Sequence, residues 1–107
     1  QKDLSDIGVS NDLRDQIISL FNLGKKGGID GIVCSPNDLA YFKEDEMDSI
    51  ITVCPGIRVK AESGGQKRTS TIHDAINKGA DYLVVAREII SSSNPLKVIN
   101  EIDSYFI

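Results

Sequence analysis

Apolar side chains along this chain alternate between two spacings. Leu13, Ile17, Ile18, Leu20 and Phe21 recur at helical intervals, with Arg14, Asp15 and Gln16 facing away, which predicts an amphipathic helix. Ser10, Asn11 and Asp12 offer N-cap oxygens ahead of it. The run Gly24-Lys25-Lys26-Gly27-Gly28 ends it. Gly31-Ile32-Val33-Cys34 is then a short continuous apolar run, the pattern of a buried parallel strand. Ser35-Pro36-Asn37-Asp38 reads as a helix start, with a capping serine, a proline at the first helical position and an acid at the third. That helix is expected to carry Leu39, Tyr41 and Phe42 and to dissolve in the acidic stretch Glu44-Asp45-Glu46.

The alternation repeats. Ile50-Ile51-Thr52-Val53 predicts a second strand, cut off by Cys54-Pro55-Gly56. From Val59 to Ser70 the chain is polar and aperiodic, a loop of a length that is usually functional or disordered. Thr71-Ile72-His73-Asp74 starts a helix that runs to Lys78 and stops at Gly79. Tyr82-Leu83-Val84-Val85 predicts a third strand. Asn94-Pro95 caps a last helix whose stripe is Leu96, Ile99, Ile102 and Phe106.

The resulting order is α-β-α-β-α-β-α, an α/β class. Strands joined through helices must be parallel, with right-handed crossovers. Three parallel strands alone leave both edges open and need cover on both faces. Either the chain pairs with another chain or it is a partial TIM (β/α) barrel. A complete eightfold barrel takes about 250 residues. These 107 residues could supply its last three strands, as a single domain over 1–107. A homo-oligomer is expected in either case. The chain begins at Gln1 and enters a helical pattern almost at once, which is read as a fragment or a processed product.

Composition narrows the function classes. A net charge of −4 argues against broad nucleic-acid binding, which needs a basic face. No apolar run approaches the roughly 18 residues of a membrane span, so no membrane partner is expected. The two cysteines, Cys34 and Cys54, form no metal-ligand spacing and are read as reduced thiols of a cytoplasmic protein. No metal and no cofactor is expected.

In parallel α/β folds the working residues sit at the C-terminal strand ends. Three such ends occur here: Cys34-Ser35, Cys54-Pro55-Gly56-Ile57-Arg58, and Ala86-Arg87. Ala86 to Ile90, ahead of Ser91-Ser92-Ser93, is placed where barrels carry a short extra helix that binds phosphate. Arg87 would present a permanently charged fork there, with Gln66, Lys67 and Arg68 closing from the long loop. Each residue also has an ordinary reading. Arg87 could pair with Glu88 or another carboxylate, Lys67 and Arg68 could be a solvated pair, and Pro55-Gly56 could be only a turn. His73, the single histidine, is read as a surface residue, and Glu44, Asp45, Glu46 and Asp48 as a solvated patch.

Taken in order, Gly31-Ile32-Val33-Cys34-Ser35, Val53-Cys54-Pro55-Gly56-Ile57-Arg58, Gly65-Gln66-Lys67-Arg68 and Ala80-Asp81-Tyr82-Leu83-Val84-Val85-Ala86-Arg87 resemble the C-terminal segment of the bacterial orotidine 5′-phosphate decarboxylase family. The opening Asp3-Leu4-Ser5-Asp6-Ile7-Gly8 resembles the segment after that family's fifth strand. The resemblance implies a (β/α)₈ barrel, usually a homodimer, that converts orotidine monophosphate to UMP and CO₂ in pyrimidine biosynthesis without a cofactor. It implies phosphate contacts at Gln66 and Arg87, backbone N–H contacts at Ala86 and Arg87, and Pro55 near the pyrimidine with Gly56 beside it. The sequence departs from the family at Ala86, where glycine is usual, and at Cys54, where threonine is common. The family's catalytic Asp-x-Lys-x-x-Asp array does not occur in these residues. Alone, the chain is expected to be inactive, and a separate chain could supply the array. The alternatives are a non-catalytic phosphate or nucleotide binder and a structural remnant that self-associates.

Overall fold

The computed structural model describes residues 2–10, 12–60 and 70–106. In chain order the elements are α1 (Lys2–Asp6), α2 (Leu13–Lys26), β1 (Gly31–Val33), a 3₁₀ segment (Pro36–Tyr41), α3 (Glu44–Met47), β2 (Ile51–Cys54), β3 (Ile57–Arg58), β4 (Ser70–Thr71), α4 (Ile72–Asn77), β5 (Tyr82–Leu83), α5 (Arg87–Ile90) and α6 (Pro95–Asp103). Three strands form one parallel sheet in the order β1-β2-β5. Its register pairs Val33 with Val53 and Val53 with Tyr82. The sheet is open, so this is an α/β structure with a small parallel sheet and helices against it.

Local hydrogen bonding explains most helix starts. Asp12 caps α2 by accepting from the Asp15 N–H at 2.9 Å. Ser35 accepts from the Asn37 N–H while Asp38 accepts from the Ser35 N–H at 3.2 Å, a reciprocal capping box. Thr71 accepts from the Asp74 N–H, and Asn94 from the Lys97 N–H, with Pro95 opening α6. Each cap satisfies an amide that the first turn leaves without an intrahelical partner.

Three expectations need correction. The Ser35-capped helix is a 3₁₀ segment, closed by the Phe42 N–H on the Leu39 carbonyl at 3.3 Å. Pro36, Leu39 and Phe42 recur every third residue, and three-residue winding lines them up on one side. There Pro36 and Leu39 are buried, and Phe42 meets Phe21 of α2 with ring centroids 4.3 Å apart. The acidic stretch is not a dissolving end but the short helix α3. Glu46 folds back to accept from the Lys43 N–H at 3.4 Å and pairs with Lys25 at 3.1 Å, tying α3 to α2. The third strand is two residues long, not four: Val84 keeps a hydrogen bond to Cys54, and the chain then turns away to start α5 at Arg87.

Alternation along the strands sorts the sheet into two faces. Thr52 and Cys54 of β2 point to the covered face. There Leu39, Cys54, Ile57, Val59, Ile72 and Ala75 form the core, with Leu83, Val85, Val98 and Ile102 packed against it. Ile72 and Ala75, from α4, are fully buried. On the other face Val33 is 73% exposed, Ile51 48% and Tyr82 61%. Asp81 locks the register from the side: its carboxylate accepts from the Thr52 N–H at 2.9 Å and from the Thr52 hydroxyl, whose oxygen accepts in turn from the Asp81 N–H at 2.9 Å. Among the described residues no helix is long and apolar enough to cross a membrane.

Candidate functional site

The ends of β2 and β5 lie side by side and diverge into a cleft. The Val84 N–H donates to the Cys54 carbonyl at 2.9 Å, which carries the pairing one residue past β5. Beyond Cys54 the chain turns at Pro55-Gly56, where Gly56 has φ +72°. That left-handed conformation costs an L-residue roughly 1–2 kcal/mol, so glycine makes the turn cheap. The turn feeds β3, which pairs in parallel with β4, Ile57 opposite Ser70 and Arg58 opposite Thr71. On the facing side the chain enters α5 at Ala86, with φ −126°; a negative φ carries no left-handed penalty for alanine.

Pro55, Gly56, Ile57 and Arg58 form one wall of this cleft, and Val84, Ala86, Arg87 and Glu88 the other, around about 290 Å³. The sequence-predicted residues Pro55, Gly56, Ala86 and Arg87 are therefore brought together. Gln66, with Lys67 and Arg68, lies outside the described residues. Two further charged residues join the cleft: Arg58, which the strand-end run contained without an assigned role, and Glu88, which the sequence offered only as an ion-pair partner for Arg87. Arg58 occupies the same kind of position as Arg87, one turn past a strand end, and that spacing was a usable signal. Glu88 gave none, because its partner, the Val59 N–H at 2.7 Å, is 29 residues away. Two guanidinium groups beside a tight glycine turn suit an oxyanion that can take paired hydrogen bonds, a carboxylate or a phosphate.

The first strand end contributes differently. Ser35 and Asp38 are committed to the capping box. Cys34 lies one residue beyond β1 and its N–H donates to the Val53 carbonyl at 3.1 Å, which sets it beside Cys54. The two thiols are close enough to influence each other's ionisation. Burial first, then the Cys54 thiol and the Asp38 carboxylate, push the Cys34 thiol up to about 12. Burial also raises Cys54, with the Cys34 thiol acting in the opposite direction. Both stay protonated near neutral pH, so this end of the sheet offers no thiolate nucleophile. His73 is exposed in the first turn of α4. Among the described residues, no group of three or more His, Cys, Asp or Glu side chains is arranged to hold a metal ion.

Comparison with known proteins gives the family of the chain. Residues 1–102 match the family described as orotidine 5′-phosphate decarboxylase / HUMPS. The orotidine 5′-phosphate decarboxylase of Wolbachia pipientis subsp. Culex pipiens is 42% identical over 94 residues, 88% of this chain and 42% of the relative. That of Aliivibrio fischeri is 42% identical over 104 residues, 96% of this chain and 44% of the relative. That of Coxiella burnetii is 38% identical over 102 residues, 94% of this chain and 43% of the relative. The chain thus spans less than half the length of these relatives. With a match over nearly its whole length, the chain belongs to the orotidine 5′-phosphate decarboxylase / HUMPS family.

Proposed function

We propose that this chain is the phosphate-gripping part of an orotidine 5′-phosphate decarboxylase, corresponding to the last three strands of a (β/α)₈ barrel and forming one partial-barrel domain over residues 1–107. The observation that carries the reading is the cleft between Pro55-Arg58 and Val84-Glu88, at the C-terminal ends of two parallel strands and lined by two arginines. Ligands of parallel α/β folds bind at that end. In this reading Arg87 grips the 5′-phosphate through its guanidinium fork, Gln66 adds a second contact, and Arg58 supplies further positive charge. The backbone N–H groups of Ala86 and Arg87 approach the same phosphate. Pro55 and Gly56 border the pyrimidine. The exposed sheet face of Val33, Ile51, Tyr82 and Val84 supports a barrel interior that further strands would enclose.

Within a complete barrel the reaction is the conversion of orotidine monophosphate to UMP and CO₂ in the cytoplasm. These residues hold the substrate by its phosphate. The chemical step falls to an Asp-x-Lys-x-x-Asp array, which does not occur in this sequence. The chain by itself is therefore expected to bind but not to turn over. The same uncovered face favours assembly, either with a chain that carries the array or with a second copy.

Thermal melting with UMP or inorganic phosphate tests the grip. Ligand at a hundred times its dissociation constant is expected to stabilise the chain by about 2.7 kcal/mol. Arg87→Ala should remove that gain. A wild-type melting temperature unmoved at millimolar ligand would overturn the binding reading and leave the structural remnant. Turnover of orotidine monophosphate by the chain alone would overturn the prediction of inactivity, and restored turnover on mixing with an array-bearing chain would support the barrel reading.

A further inference from the structure

Hydrogen bonds between described residues join the two sides of the cleft at three places. Two join backbone to backbone near the strand ends: Val84 N–H to Cys54 carbonyl at 2.9 Å, and Ile57 N–H to Val84 carbonyl at 3.4 Å. The third, at the far end, comes from a side chain. The Glu88 carboxylate accepts from the Val59 N–H at 2.7 Å. Val59 is buried, and its carbonyl accepts from the Tyr105 hydroxyl at 3.3 Å. Both polar groups of Val59 are thus tied to the C-terminal part of the chain, one to α5 and one to the turn after α6.

A carboxylate on the wall of an anion cleft is unfavourable unless it is committed elsewhere. Glu88 is committed in this way, and the commitment has a geometric consequence. Helix α5 is only four residues long, and no side chain caps it at Ala86. Such a short helix has little rigidity of its own. What orients it is packing on α6 and the Glu88 bond to β3's trailing residue. Arg87 precedes Glu88 on that helix, and Arg58 precedes Val59 on the facing strand. The bond therefore joins the residues next to the two arginines. We propose that Glu88 is a positioning residue for the cleft, a strap that fixes the spacing between Arg87 and Arg58 and so tunes the site to a phosphomonoester. This rests on the phosphate-gripping reading given above. Lys60 and Glu101, 3.6 Å apart beside the strap, form an exposed pair of little energetic weight and serve as a control.

The test compares Glu88→Ala, Glu88→Gln and Glu88→Asp in the full chain, titrated with inorganic phosphate and with UMP well below each melting temperature. Glu88→Ala removes the acceptor and is expected to weaken binding about tenfold, since small misplacements of a gripping group cost that much or more. Glu88→Gln keeps an acceptor at the same reach, with a weaker neutral bond, and is expected to recover binding to within about threefold. Glu88→Asp keeps the charge but shortens the reach, and should bind less well than Glu88→Gln. A merely structural role would track melting temperature instead of acceptor reach. Glu101→Gln should bind like wild type. Equal binding by wild type, Glu88→Gln and Glu88→Asp overturns the strap, whether or not Glu88→Ala folds. Amide NMR separates this from failure of the site itself. If wild type binds neither ligand, the phosphate reading fails. The strap then stands if Glu88→Asp shifts the Val59, Gly56 and Arg87 amide resonances and Glu88→Gln shifts only Val59, and it falls if Gly56 and Arg87 stay fixed in both.

Discussion

The two faces of the parallel sheet share the same strands and meet opposite surroundings. On one, Thr52 is buried, and Cys54 and Leu83 pack with Ile72 and Ala75 of α4 and Val98 and Ile102 of α6. On the other, Val33, Ile51, Tyr82 and Val84 stand in the open. The side chains on the two faces are about equally apolar. Parallel sheets are ordinarily covered on both sides, which is why their strands read as continuous apolar runs. The difference teaches that one face's hydrophobicity is buried within the chain while the other's stays exposed. The cleft lies at the end of the strands, where the two faces meet, so both faces bear on it.

Substitutions on the two faces should separate sharply. The largest effect is expected at Ile72, fully buried on the covered face. Ile72→Ala should lower the unfolding free energy by about 2–5 kcal/mol in urea denaturation. Next comes Gly31, at the β1–β2 contact. A β-carbon there would lie 2.5 Å from the Ile51 carbonyl oxygen, so the strands must shift. Gly31→Ala should cost about 1–3 kcal/mol by the same measurement.

A smaller effect belongs to the thiol pair beneath the cleft. Cys34 rises from an ordinary 9.0 to about 12, so the folded state holds that proton more tightly than the unfolded state. The stability this contributes is fully present below pH 9.0 and is lost as pH rises through about 12. Melting temperature should therefore fall across that window, and Cys34→Ala should flatten the fall. Smallest of all is the open face. Val33→Ser should change stability of the chain alone by less than about 0.5 kcal/mol. It should nevertheless weaken self-association or assembly with an array-bearing chain, read by light scattering. A loss as large as that of Ile72→Ala would mean the two faces do not differ as described.

How far the sequence carried this description follows from the range of each interaction. The caps at Asp12, Ser35, Thr71 and Asn94 were legible because donor and acceptor lie two or three residues apart. The alternation of strands and helices, the parallel order and the short helix after the last strand were legible for the same reason. So were four residues of the cleft, since strand ends carry the chemistry in such folds. Only tertiary structure decided the pairing of β3 with β4 and the brevity of β5. It also decided that Glu88 reaches Val59 and that Thr52 and Asp81 interlock. These depend on residues far apart in sequence meeting at hydrogen-bond distance, and no local spacing encodes that meeting. Which face of the sheet is covered is likewise a tertiary fact: the strands are apolar on both sides, and the placement of α4 and α6 chose between them.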